Sequence, residues 1–215
     1  MSAQSRSAQL PPLRPWPVIL LLAALLVLPG CAGRDRTPGA CRLPPRATTS
    51  VPRFVHPSTA HYLQRDKRWS EEPIGGSGKP LRTVGCVVCS LSMALAQHGI
   101  ALPPARLNQE LKKVDGFTSQ GWLYWPAIAQ VTAGRARAEI IWKPTLQAIE
   151  AALAAGHPVI VKVAPPPMLQ HWVVLVGREG REFLMRDPLD TVPAVRPLSA
   201  IGSDILAVRI VKPLP

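Results

Sequence analysis

Apolar residues fall into three regimes along the chain. They are nearly continuous from Val18 to Leu28, sparse over residues 32–60, and periodic from His61 onward. Within the periodic part, the first half has helical spacing. In the stretch 83–99, TVGCVVCSLSMALAQHG, the residues Val88, Leu91 and Leu95 recur at intervals of three and four and stripe one helical face. Gly99 sits where a helix would close on a left-handed cap. Pro103-Pro104 opens a second helix over 104–114, with Leu107 and Leu111 one turn apart, and Asp115-Gly116 breaks it. A short helix follows over 126–134, then a strand over 136–142. Thr145 is the N-cap of a helix that reaches Gly156. Beyond it the pattern turns to sheet: strands are predicted over 158–163, 171–177, 182–187 and 205–211. Helices first and antiparallel strands after make an α+β domain.

The amino terminus changes the picture. Arg6 and Arg14 precede the apolar run, no acidic residue comes before Asp35, and the run is shorter than the roughly twenty residues of a spanning helix. A signal segment over 1–30 fits better than an anchor. It ends in Leu28-Pro29-Gly30-Cys31, which resembles the lipobox of bacterial lipoproteins. That resemblance implies lipidation of Cys31 and attachment to a bilayer through lipid. Ala32 in the next position implies the outer membrane, facing the periplasm. Residues 31–60 then read as the lipidated cysteine and a Pro-rich flexible tether, and 61–215 as the folded domain.

The formal charge is +12, of which Arg6 and Arg14 carry two. Basic residues are scattered, with no stripe interleaved with aromatics, so nucleic-acid binding is not expected. An anionic surface, polymer or partner is a better match for the charge, as is a merely solvated basic surface. The four cysteines are Cys31, Cys41, Cys86 and Cys89. With Cys31 lipidated, an odd number of thiols is left.

Candidate chemistry gathers on two stretches. Cys86 lies on the first turn of its helix, where backbone N–H groups and the helix dipole favour a thiolate, the nucleophilic form. The plainer alternative makes Cys86 and Cys89 small buried or disulfide-bonded residues. With the turn between the strands over 171–177 and 182–187 centred near Glu179, His171 and Asp187 lie equally far from it and face each other. An Asp carboxylate there could accept the imidazole N–H and fix its tautomer. A slip of one residue would separate them. His157 is the one rival base. Trp122, Tyr124 and Trp125 could line a groove or belong to the core. The segment 75–80, GGSGKP, is a poor match to a phosphate loop and reads as a lip before Cys86.

Five short motifs in order resemble the C39-like peptidases, papain-fold cysteine peptidases related to bacteriocin-leader peptidases. These are Gln64-Arg65-Asp66 with Trp69; Gly85-Cys86 followed by Ser90, Leu91 and Met93; Gly156-His157-Pro158; His171-Trp172; and Asp187-Pro188. The resemblance implies a papain-like fold with the nucleophile helix packed on an antiparallel sheet. It implies Cys86 as nucleophile, His171 as base, Asp187 as its orienter and Gln64 as a donor to the oxyanion. It implies a peptide or protein substrate. No cofactor is expected, and Cys86 and Cys89 alone make only half of a structural zinc site. Val87 and Cys89 depart from the family pattern. They leave open a silent peptide-binding module of the same fold and, from Cys86-x-x-Cys89, a thiol–disulfide exchanger.

Overall fold

The computed structural model describes residues 54–56, 60–168 and 170–214. The expected signal segment, Cys31, Cys41 and most of the tether lie outside the described residues. Within them the elements run β1 (Phe54–Val55), α1 (Leu81–Val84), α2 (Cys86–Gln97), α3 (Pro104–Lys113), α4 (Ala127–Val131), β2 (Ala136–Ile141), α5 (Leu146–Ala154), β3 (Val159–Val163), β4 (His171–Glu179), β5 (Glu182–Arg186), β6 (Arg196–Pro197), a 3-10 turn (Leu198–Ile201) and β7 (Ala207–Pro213). The arrangement is α+β, with an antiparallel sheet ordered β2-β7-β3-β4-β5-β6. Among the described residues, no helix is long and apolar enough to cross a membrane.

Helix α2 starts at Cys86 as its spacing predicts, and Gly99 beyond it has a φ of 72°. Val88, Leu91 and Leu95 are fully buried, and so is nearly everything between Val87 and Leu95. A helix apolar on almost every side belongs in a core rather than on a surface, and α2 packs against β4. Each fully buried Leu or Val there contributes about 1.5–3 kcal/mol. Gly85 joins α1 to α2, where a side-chain Cβ would lie 2.5 Å from the Leu81 carbonyl oxygen. Only glycine permits so close a join, and the join sets where Cys86 begins. Thr145 caps α5 as expected, its Oγ1 accepting from the Ala148 N–H at 3.1 Å.

The sheet is buried on both faces. Ile160, Val174, Val176 and Val211 join the core beneath α2, α3 and α4. Val159, Val161, Val173, Leu175 and Val208 join a second core with α5 and Leu198. This alternation follows from the period of two along each strand. One expectation fails at the other end of the chain. The stretch read as tether carries β1, which pairs Phe54 with Arg178 and Val55 with Gly177. It takes the edge of β4 that β3 leaves uncovered.

The β4–β5 register also differs from expectation. The hairpin is centred between Gly180 and Arg181, not on Glu179: Glu179 pairs with Glu182 and Gly177 with Leu184. Gly180 has a φ of 60°, the left-handed backbone that a two-residue loop demands. Farther along, Leu175 pairs with Met185 and Val174 with Arg186, so Val176 is an extra residue, a β-bulge. Continued unbroken, the first register would set Asp187 opposite Val174, on the other face from His171. The bulge moves Asp187 opposite Val173 instead. His171 and Asp187 thus share a face as diagonal neighbours, not as a directly opposed pair.

Candidate functional site

The site lies where the first turn of α2 meets the head of β4. Ser90, one turn beyond Cys86, donates from Oγ to the Trp172 carbonyl at 3.0 Å. Residues four apart share a helix face, so this bond ties the Cys86 side of α2 to the strand residue that follows His171. Cys86 and His171 line one cleft, of about 710 Å³, together with Gln64, Arg82, Met168 and Leu189.

His171 is buried, with Nε2 2.7 Å from Asp187 Oδ1. A carboxylate oxygen accepts, so Nε2 carries the hydrogen. The nitrogen left for Cys86 is Nδ1, which is buried and has no bond of good geometry among the described residues. The thiol is nonetheless near enough to act on the ring. Such pairs are often loose before substrate arrives. Burial works to lower the His171 pKa, but the bond to Asp187, the nearby Cys86 sulfur and the charges on both outweigh it and raise it to about 9.

Asp187 is 6 % exposed and uses both carboxylate oxygens. Oδ1 also accepts from the Leu189 N–H at 2.8 Å, and Oδ2 from Arg196 Nη2 at 3.2 Å. Burial pushes its pKa up, yet the bond and charge of His171, the Leu189 N–H and the Arg196 charge together bring it below the usual carboxylate value. Arg196 in turn binds Asp190 at 2.6 Å.

Gln64 is buried, and its Nε2 donates to the Arg82 carbonyl at 3.0 Å. A carbonyl can only accept, which identifies the amide nitrogen and leaves its second N–H for another acceptor. The segment bearing Gln64 is stitched to the one bearing Asp187. The Gln64 N–H donates to the Pro188 carbonyl at 2.7 Å. The Ala194 N–H donates to His61 Nδ1 at 3.1 Å, so His61 Nε2 carries the hydrogen and donates to the Asp187 carbonyl at 3.0 Å. Trp69 closes the turn from inside, its Nε1 donating to the Leu63 carbonyl at 2.9 Å.

Cys86 and Cys89 are both free thiols, but their surroundings differ. Cys89 is fully buried, and burial first, then the neighbouring Cys86, pushes its thiol well up. His157 is not at the cleft: it stacks against His98 at 5.8 Å between ring centres. Trp122 and Trp125 line a second cleft of about 410 Å³ that shares Cys86 with the first, and Val87 lines it too. Tyr124 points to solvent and is 55 % exposed. The glycine-rich lip contributes Lys79 to the same cleft. Among the described residues, no cluster of three or more His, Cys, Asp or Glu side chains could hold a metal ion.

Sequence reading names Ser90 only as part of the nucleophile motif, without its bond to β4, and misses the roles of His61 and Arg196. Ser90 left a signal, a hydroxyl inside an otherwise apolar helical run. Arg196 and His61 left none, because long-range pairing alone brings them to Asp187.

These features define an α+β protein whose cleft joins a helix-start cysteine to a buried histidine–aspartate pair. The model of the Peptidase_C39 like family matches residues 60–196, and the chain belongs to that family. Among solved structures, a Bacillus anthracis protein provisionally described as a C39-like peptidase is similar at 19 % identity and a TM-score of 0.47. The match covers 75 % of this chain and 98 % of that one. Comparison with curated proteins gives no match.

Proposed function

We propose that this chain is a papain-like cysteine peptidase that cuts peptide bonds with Cys86, His171 and Asp187. The observation that carries the reading is the division of labour on the His171 ring. Asp187 holds Nε2, while Nδ1 is left buried beside Cys86 in one cleft. A raised His171 pKa favours the imidazolium, and an imidazolium favours a neighbouring thiolate. The thiolate attacks the carbonyl carbon, and the second N–H of Gln64 meets the developing oxyanion. The imidazolium then protonates the departing amine, which leaves an acyl-enzyme thioester. A water, deprotonated by the now neutral His171, attacks the thioester and releases the acid and the thiol.

The arrangement disfavours thiol–disulfide exchange. Exchange by a Cys-x-x-Cys pair needs its second cysteine to attack the mixed disulfide as a thiolate, whereas Cys89 is buried and held protonated. The test is a peptide-library digest with wild type and Cys86→Ser side by side. Products from wild type alone support the peptidase. Peptide binding with no cleavage by either would make the chain a binding module.

We further propose, from sequence alone, that residues 1–30 direct export and that Cys31 carries the lipid. Incorporation of an alkyne fatty acid that is lost in Cys31→Ser tests this.

A further inference from the structure

The second cleft differs from the first in its walls. Its floor comes from one face of the sheet, where Lys162 pairs directly with Trp172 and Arg209 stands diagonally beside Lys162 on β7. Arg209 is half-buried with its guanidinium over two indole rings, 5.2 Å from the Trp125 centre and 5.7 Å from that of Trp172. Nη1 donates to the Val208 carbonyl at 2.8 Å, while Nε is buried with no partner. Lys79 and Lys162 line the same cleft, and no carboxylate lines it among the described residues. Elsewhere several basic side chains do find acids, as Arg82 does Glu71 and Arg178 does Glu150. A half-buried cation without a counter-charge is costly. The planar fork of Arg suits a carboxylate, and indole faces hold the fork in place.

We propose that this cleft binds a carboxylate on the acyl half of the substrate, so that the favoured peptides carry an acidic residue shortly before the cut bond. The side is set by His171. The leaving amine must lie where the imidazolium can protonate it, and His171 lines the first cleft but not the second. Cys86 lines both and marks the boundary. The acyl half therefore falls toward Arg209, its carboxylate between the guanidinium and Lys162, with any apolar stem against Trp122 and Trp125.

This inference rests on the peptidase reading for the direction of the peptide, but its test separates the two. Dye-labelled hexapeptide pools with Glu, Gln or Lys fixed at one position at a time are bound to Cys86→Ala and followed by fluorescence anisotropy. The same pools are digested with wild type, and the cut sites are mapped by mass spectrometry. At one position the Glu pool should bind at least tenfold tighter than the Gln pool, and the Lys pool weakest. Adding Arg209→Gln should cut that preference below twofold, and wild type should cut on the C-terminal side of the Glu. Should Arg209→Gln fail to fold, Arg209→Lys and Lys162→Gln serve instead, each lowering the Glu preference severalfold. Equal binding of Glu and Gln pools, or a Glu preference that survives these substitutions, overturns the proposal. So does a cut on the N-terminal side of the Glu. A Glu preference in binding without any hydrolysis supports the carboxylate site and sinks the peptidase reading. Hydrolysis indifferent to Glu does the reverse.

Discussion

His61, on the segment that leads into the domain, and His171, at the head of β4, both bond Asp187, yet they are driven in opposite directions. His171 meets the carboxylate itself, and its pKa rises to about 9 against the pull of burial. His61 meets only the Asp187 backbone carbonyl on one side and the Ala194 N–H on the other. Burial therefore prevails and lowers its pKa, with the Asp187 carbonyl and the Asp190 charge only partly opposing. Protonating His61 would set two N–H groups against each other at Nδ1. The same aspartate thus keeps one imidazole charged and another neutral. The difference is whether the ring faces a full charge or a bond dipole, not how deeply it is buried.

The largest effects should fall on the charged side. Cys86→Ala or His171→Ala should lower kcat/KM by about 10⁴-fold or more, measured on the best library peptide. Asp187→Asn should follow, with a loss of about 10²- to 10⁴-fold, because an amide carries no charge to steady the imidazolium and its NH2 would meet the Arg196 donor. If Asp187→Asn retained full activity, the two histidines would not differ in the way described.

The pH dependence of stability sharpens the comparison. A His with a raised folded pKa contributes stability that is fully present below its unfolded pKa of 6.5 and is lost as pH climbs to about 9. For His171 that contribution is about 3 kcal/mol. His61 has the opposite sign: its folded pKa is lowered, so its neutral bonds cost nothing above 6.5 and weaken folding as pH falls below it. Denaturant melts between pH 5 and 10 should show a maximum near 6.5. His171→Ala should flatten the alkaline side, and His61→Gln the acid side between 6.5 and about 5. Identical profiles in all three proteins would contradict this assignment. The kcat/KM profile should also fall as pH passes about 9, where the imidazolium is lost.

Smaller effects belong to the neutral side. His61→Gln should cost about 1–2 kcal/mol of stability, the scale of hydrogen bonds left without a partner. It should lower activity by about tenfold or less, since His61 touches only the backbone of Asp187. Iodoacetamide near pH 6 should label Cys86 and spare the buried Cys89, and His171→Ala should slow that labelling. Equal labelling of both would remove the distinction between the two thiols.

Much of this could be read from the sequence, where local rules suffice. The start of α2, its Val88-Leu91-Leu95 stripe, the Thr145 cap and the α+β order all depend on neighbours a few residues away. So did the choice of Cys86, His171 and Asp187 as residues to watch, helped by the family resemblance. What escaped depends on distant pairing. β1 is two residues long and exists only because β4 offers it an edge. His61 and Arg196 gain meaning only when three separate segments meet at Asp187. Lys162 and Arg209 look like ordinary alternating strand residues until the sheet sets them side by side. The expected register brought His171 and Asp187 together for the wrong reason, since the turn centre was misplaced and the bulge was unforeseen.

That bulge at Val176 sets the phase of the hairpin. Drawing Val176 into the ladder, with the chain length unchanged, would bring Asp187 opposite Val174 and rotate it to the far side of the sheet from His171. Removing Val176 altogether would leave Asp187 opposite Val173, and the ion pair would survive in a straight hairpin. Among related sequences, a member one residue shorter there should therefore keep the pair, whereas one of the same length that had lost the bulge would be well folded and chemically inert.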